Sequence, residues 1–184
     1  MAKSKSPLSS AAVLCSIVLV ACMLMTLCYQ ATAERIEENR LRKEQAAMLD
    51  LLPEADSFAP LSANLVEGVS EIYEAANKAG WVVISSANGY RGKITVMTAI
   101  DASGEISGVK ILDISEEDAG IAARVNQNSY LSQYAGAKSI SSSAARSGAK
   151  RIDAVSGATS SSAAVFSCVS LALMQVHETE GGDI

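Results

Sequence analysis

From Leu8 to Cys28 the sequence LSSAAVLCSIVLVACMLMTLC runs for 21 residues without a charged side chain. Wound as a helix rising about 1.5 Å per residue, a run of this length crosses a hydrocarbon layer about 30 Å thick. Such a segment can only be helical there, because lipid offers no partner for unpaired backbone groups. Two processing readings compete with an uncleaved anchor. Ala31-Thr32-Ala33 has the small-x-small form of a signal-peptidase site, with Lys3 and Lys5 ahead of the run. The apolar stretch exceeds the roughly 7 to 15 residues of a cleaved signal, which favours the anchor. Leu19-Val20-Ala21-Cys22 resembles a lipoprotein box, but cleavage before Cys22 would leave Met23, Leu24, Met25 and Leu27 where a polar tether is expected.

The chain beyond the run is long enough for one domain. With 184 residues, 49% hydrophobic and 19% charged, the protein can build a single core plus one extra element, not a second full domain. Lys3 and Lys5 are the only charged side chains before the run. All 20 Asp and Glu and the other 13 Lys and Arg come after it, giving the part beyond residue 33 a formal charge of −7. That balance argues against nucleic acid as a partner. Cys15, Cys22 and Cys28 lie in the run, leaving Cys168 alone beyond it, so no disulfide is expected in the folded part and no metal-binding pattern is present. Cys168, among Val165, Phe166, Val169 and Leu171, reads as a small buried hydrophobe. The single histidine, His177, suits the negative end of the same helix better than it suits catalysis.

Glu34 to Leu52 reads as a helix of good formers, with Glu38 and Arg42 at an i, i+4 spacing and Pro53 as its stop. Leu65, Val69, Ile72, Tyr73 and Ala76 recur at helical spacing and predict a second helix over residues 61–78, ahead of Ala79-Gly80. Three strands come next. Trp81 to Ala87 ends in Asn88-Gly89, Lys93 to Asp101 alternates around Ile94, Val96, Thr98 and Ile100, and Ile106 to Ile114 comes after Ser103-Gly104-Glu105. Such punctuation predicts an antiparallel meander, with Trp81 packed into its core. The fold class is therefore α+β, an N-terminal transmembrane helix followed by an antiparallel sheet with flanking helices. Residues 139–150, mostly Ser, Ala and Gly, read as a surface loop.

After that loop comes Asp153-Ala154-Val155-Ser156-Gly157-Ala158-Thr159, then Ser160, Ser161 and Ser162, then an apolar helical pattern to about Val176. Small residues at a helix start let backbone amides face a ligand, and the positive end of the helix dipole favours a phosphate there without any basic side chain. The plainer reading is a well-capped helix, since Ser and Thr oxygens accept the same amides.

The motif resembles Asp-x-x-Ser-Gly-Ala-Thr, the flavinylation motif of FMN-binding domains in Rnf and Na+-translocating NADH:quinone reductase complexes. Asn88-Gly89-Tyr90-Arg91-Gly92-Lys93-Ile94, then Asp101, a Gly turn and Gly108-Val109-Lys110-Ile111-Leu112, is similar to the corresponding run of Rnf G subunits. Tyr130-Leu131-Ser132-Gln133-Tyr134-Ala135-Gly136 resembles the family's next segment, a short helix and a loop. The resemblance covers about residues 80–177. It divides the chain into a tail and transmembrane anchor (1–33), a helical juxtamembrane region (34–79) and an FMN-binding domain (80–184). It implies FMN bound covalently to Thr159 through a phosphoester, with Asp153, Ser156, Gly157, Ala158 and Ser160 as the surrounding motif. Where the family usually has Glu-Thr-Pro-Gly-Leu-Gly, this chain has Glu117-Asp118-Ala119-Gly120-Ile121-Ala122. Glu117 and Gly120 match and carry over as cofactor-binding residues, while the family's Thr and second Gly are replaced.

A threonine hydroxyl is a weak nucleophile without a neighbouring base, and the motif offers Asp153 but no His or Lys dyad. No catalytic residue is assigned, and self-modification is not expected. The resemblance implies a separate Mg2+-dependent flavin transferase with FAD as donor, for which Ser141 to Ser143 could serve in docking. It further implies an electron-transfer subunit of an Rnf-type complex, relaying electrons between ferredoxin and NAD+ in a process coupled to ion translocation, and not an oxidoreductase by itself. The expected location is the cell membrane, in contact with lipid and with the other subunits, single-pass and with the flavin domain on the extracytoplasmic side. Charge does not fix that orientation, since Arg35, Arg40, Arg42 and Lys43 stand close to the far end of the run. Two alternatives stay open. One is the C subunit of the quinone reductase or a stand-alone extracytoplasmic flavoprotein, and the other is a membrane-tethered binding domain without cofactor.

Overall fold

A computed structural model describes residues 7–142 and 148–181 and opens on one helix, α1 (Pro7–Leu51). Proline suits a first helical turn, where the missing N–H would have no partner. Two compact units divide the chain, the first ending at Glu44 and the second starting at Gln45. Within the first, Val13–Thr32 is apolar and entirely unburied. Leu14, Leu19, Met23 and Met25 all expose large side chains, a surface that is stable against lipid and costly in water. The hydroxyls of Ser16, Thr26 and Thr32 donate to the carbonyls of Val13, Cys22 and Cys28 at 2.8, 2.9 and 2.7 Å, so these polar groups are satisfied inside the helix.

The second unit is built on a five-stranded antiparallel sheet, counted among the described residues. Its strands β1 (Phe58–Pro60), β2 (Val69–Ala75), β3 (Gly80–Asn88), β4 (Lys93–Asp101) and β5 (Ile106–Asp113) lie side by side in chain order. The three expected strands coincide with β3, β4 and β5 to within one residue. Alternation sorts their side chains into two layers. Val83, Ile94, Val96 and Ile100 pack against Val165, Cys168 and Val169 of the last helix, α4 (Thr159–Gly181). Val82, Ile84, Met97 and Ala99 face the opposite way and are covered by Ala47, Met48 and Leu52, at and just beyond the end of α1. Helix α4 is also long and apolar enough to cross a membrane, but half of it is buried in this core, which makes it the central helix of the domain.

The helix expected over residues 61–78 does not form. Residues 69–75 are strand β2, paired with β3, and the preceding segment is irregular. A register shift between Val69 and Glu71 is the physical reason for the false periodicity. Strict alternation would put Val69 and Ile72 on opposite faces; the bulge brings both into the layer under α4. Ala75, buried in the opposite layer by ordinary alternation, extends the spacing, so buried positions recur every third residue at Val69, Ile72 and Ala75 and imitate one face of a helix.

Beyond β5 come α2 (Ala119–Val125), α3 (Asn128–Leu131) with a 3₁₀ turn at Ser132–Tyr134, and a short parallel pair, β6 (Ile140–Ser141) and β7 (Lys150–Arg151). The short helix expected near Tyr130 is thus α3. Of the Ser/Ala/Gly-rich loop, residues 143–147 lie outside the described residues, including Ser143 of the suggested docking segment. Its two ends are joined, Ile140 opposite Lys150 and Ser141 opposite Arg151, so β7 delivers the chain to Asp153 from a fixed point.

The β4–β5 turn carries a pH-dependent contribution. Asp101 Oδ1 accepts from the Ser103 amide at 2.8 Å, the Ser103 hydroxyl at 2.7 Å and the Glu105 amide at 2.9 Å. Partial burial pushes its pKa up, but the Ser103 hydroxyl, the two amides and the Lys138 charge together hold it below the usual value. A folded pKa below the unfolded value of about 3.9 contributes stability at higher pH, lost as pH falls through the folded pKa. Urea midpoints of the full chain in detergent are expected to fall between pH 5 and pH 2.5, and Asp101→Asn to flatten that fall. An equally steep fall in the variant would assign it to other carboxylates.

Candidate functional site

Two pieces of backbone meet at the end of the sheet nearest α2. The turn between β3 and β4 closes with Gly89 N–H donating to the Gly92 carbonyl at 2.8 Å. Under it lie two consecutive carboxylates. Glu117, 8% exposed, accepts through Oε1 from the Tyr90 amide at 2.6 Å and the Arg91 amide at 3.2 Å, and Glu116 Oε2 accepts from the Lys93 amide at 3.0 Å. Both flanking glycines are required sterically, because a Cβ on Gly89 would collide with Glu117 and one on Gly92 with Glu116. Glu117 therefore shapes the hairpin, while its Oε2 is buried without a partner among the described residues. Gly120 serves the start of α2, its amide donating to Asp118 Oδ1 at 3.0 Å. Asp118 thus caps α2 where the family usually has threonine.

Helix α2 then carries the chain to the motif. From its last turn Arg124 donates to the Ser156 carbonyl at 3.3 Å. Gly157 has a positive φ of 74°, which favours glycine, and a Cβ there would stand 2.6 Å from Arg124 Nη1. The motif turn is held from several sides. Gln133 Oε1 accepts from the Asp153 amide at 2.9 Å, Arg151 pairs with the Asp153 carboxylate at 2.9 Å, and Ser162 Oγ accepts from the Val155 amide at 3.0 Å. Below, the Tyr130 hydroxyl donates to the Ser162 carbonyl at 3.0 Å and shares a 2.8 Å hydrogen bond with Tyr134. The two rings meet edge to face, and burial raises the pKa of both hydroxyls, so they stay protonated.

The head of α4 presents what a phosphate needs. Its first ladder bond runs from the Ser162 amide to the Ala158 carbonyl at 2.8 Å, so the amides of Thr159, Ser160 and Ser161 precede the ladder and have no carbonyl inside the helix to bond. Four hydroxyl residues succeed one another here, and burial separates them. Thr159 and Ser160 are exposed, whereas Ser161 and Ser162 are buried, as is Ala158.

The structure thus brings Asp153, Ser156, Gly157, Ala158, Thr159 and Ser160 to one helix start, with α2 running from Glu117 and Gly120 to that start. Tyr130 and Gln133, 29 and 26 residues from Thr159, lie in the run that resembles the family's next segment but were not assigned to the site, and Arg124, 35 residues from Thr159, carried no local sequence signal. Cys168 is fully buried, its thiol pushed up to about 11 by burial, as fits a core residue. His177 is exposed toward the other end of α4.

The model of the FMN-binding domain family matches residues 89–174, from the hairpin glycine through the motif to late α4. Residues 89–174 belong to that family. The chain also has relatives along most of its length. The G subunit of an ion-translocating oxidoreductase complex of Methanosarcina acetivorans is 26% identical over 171 residues, covering 88% of this chain and 90% of the relative. The G subunit of the Na(+)-translocating ferredoxin:NAD(+) oxidoreductase complex of Acetobacterium woodii is 27% identical over 180 residues, covering 86% of each. A proton-translocating counterpart from Clostridium ljungdahlii is 28% identical over 159 residues, 84% of this chain and 83% of the relative. The residues present fit a phosphorylated flavin. First-turn amides precede the helix ladder, and the Arg124 guanidinium lies against the turn where a Cβ on Gly157 would stand 2.6 Å from it.

Proposed function

We propose that this chain is the G-type subunit of an Rnf-type ion-translocating ferredoxin:NAD+ oxidoreductase, carrying FMN covalently on Thr159. The observation that carries this reading is the exposed Thr159 at the head of α4, among amides that precede the helix ladder and close to Gly157. Attachment transfers the FMN half of FAD. Thr159 Oγ forms the new bond to phosphorus, the phosphoanhydride bond breaks, AMP leaves with the bridging oxygen, and the hydroxyl proton passes to solvent. Among the described residues no paired base stands beside Thr159, so a separate flavin transferase performs the step. Asp153 belongs to the recognition sequence, and its ion pair with Arg151 keeps its charge from opposing a phosphate. Bound flavin supplies reversible electron uptake, while the protein fixes its place. Glu117 and Gly120 support the flavin from the far end of α2, the first by shaping the Tyr90–Arg91 hairpin and the second by starting the helix.

Val13–Thr32 spans the membrane with lipid around it, the flavin domain lies on the extracytoplasmic side, and the other subunits of the complex donate and accept the electrons. The test is to express the full chain with a flavin transferase, denature it, and look for a fluorescent band. Mass spectrometry of the tryptic peptide beginning at Ile152 is expected to show the mass of FMN less water. A dark band and an unmodified peptide would remove the covalent reading.

A further inference from the structure

We infer that Arg124 is the cation that holds the flavin phosphate at Thr159, an inference that rests on the attachment proposed above. Its guanidinium lies on the motif turn itself, donating to the Ser156 carbonyl at 3.3 Å. Gly157 leaves room for the guanidinium in this position, since a Cβ there would stand 2.6 Å from Nη1 and the arginine would have to shift. This gives the motif glycine a second function beside its positive φ, the exclusion of side-chain bulk between a cation and the helix start.

The charge around the turn favours the same assignment. Arg151 is engaged with Asp153 at 2.9 Å, whereas among the described residues Arg124 makes no ion pair. An arginine with one N–H on a carbonyl keeps several donors for an oxyanion. The motif's only carboxylate is therefore compensated and its remaining cation is not, which leaves the turn positive. A phosphodiester carries a full negative charge, against which the helix dipole offers about half a charge. The guanidinium supplies the remainder through charge-assisted hydrogen bonds to the non-bridging oxygens. During transfer the same guanidinium would bind the FMN phosphate of FAD and so favour its approach to Thr159. Arg124 is 32 residues from Ser156 in sequence, so α2 acts as the arm that brings this charge to the attachment site.

The inference is tested on the full chain in detergent with a flavin transferase and FAD, comparing wild type with Arg124→Gln and Arg124→Lys. Initial rates of flavin incorporation are expected to fall about tenfold in Arg124→Gln and to recover to within about threefold in Arg124→Lys. Added salt is expected to slow the wild type more than Arg124→Gln, because screening acts on the charge that the variant lacks. The 31P resonance of the attached phosphodiester is expected to move in Arg124→Gln and to return toward its wild-type position in Arg124→Lys. Wild-type rates with an unmoved 31P resonance in Arg124→Gln would overturn the inference, and so would a lysine variant as slow as the glutamine one. Should Arg124→Gln fail to fold, the lysine variant's rate and 31P resonance decide, an unrescued rate or a resonance far from the wild-type position counting against. A wild-type chain that takes no flavin overturns the attachment itself, whereas a defect confined to the variants concerns Arg124 alone.

Discussion

Thr159→Ala is expected to reduce covalent flavin to background, because it removes the one oxygen that can carry the phosphorus. Thr159→Ser restores the hydroxyl at the same place and is expected to be flavinylated. The informative comparison is with the three serines next in the chain. Ser161 and Ser162 are buried, so neither can receive a phosphate without unfolding the first turn of α4. Ser160 is exposed but lies about 100° further round the helix, directed away from Thr159's position by the winding of the backbone. Ser160→Ala is therefore expected to keep incorporation within about twofold. Ser162→Ala strips the acceptor from the Val155 amide, a cost of about 1 kcal/mol, and is expected to loosen the turn and slow incorporation without abolishing it. In-gel fluorescence of the denatured bands reads all four variants at once. A fluorescent Thr159→Ala band beside a dark Ser160→Ala band would keep flavinylation and move its site by one residue.

The motif itself could be read from the sequence because its signal is local. Small residues, a glycine that takes positive φ and a run of hydroxyls all act within one helix start, and α4 does begin at Thr159. Strands β3 to β5 were legible for the same reason, each being bounded by its own turn residues. Contacts across long separations were not. Glu117 was legible as a matching residue, yet its engagement with the Tyr90 and Arg91 amides depends on Gly89, 28 residues away, just as that of Glu116 with Lys93 depends on Gly92. Arg124 carries no pattern that distinguishes it from an ordinary surface side chain, and Gln133, though inside a run that resembles the family, shows nothing of its contact with Asp153. Local periodicity misled only at residues 61–78, where a bulge turned a period of two into a spacing of three.

That segment also carries the largest expected loss of stability. Gln175 on α4 is 1% exposed and reaches into residues 61–68 with both ends of its amide. Its Oε1 accepts from the Val66 amide at 2.7 Å and its Nε2 donates to the Asn64 carbonyl at 3.1 Å. This irregular segment is short of ladder partners, so this one buried side chain supplies partners to two of its backbone groups, on the half-buried Val66 and the exposed Asn64. Gln175→Ala removes both bonds and leaves part of the space empty. Losing the partners of two such groups costs about 1 kcal/mol each, more where water cannot enter, and the deleted methylene adds about 0.8 kcal/mol. A total of about 3 kcal/mol corresponds to a fall of about 10 °C in Tm for a domain of this size. Ser170→Ala on the same helix is the control, since its hydroxyl only returns to the Phe166 carbonyl at 2.9 Å, and it is expected to shift Tm by no more than about 2 °C. Thermal unfolding of the full chain in detergent, followed by circular dichroism, measures both. A Gln175→Ala shift as small as that control would mean that Leu61, Ala63 and Val66, packed against the core, hold the segment by apolar contact alone. The larger shift is expected because those three side chains are only partly buried, whereas the two backbone groups have one partner side chain between them.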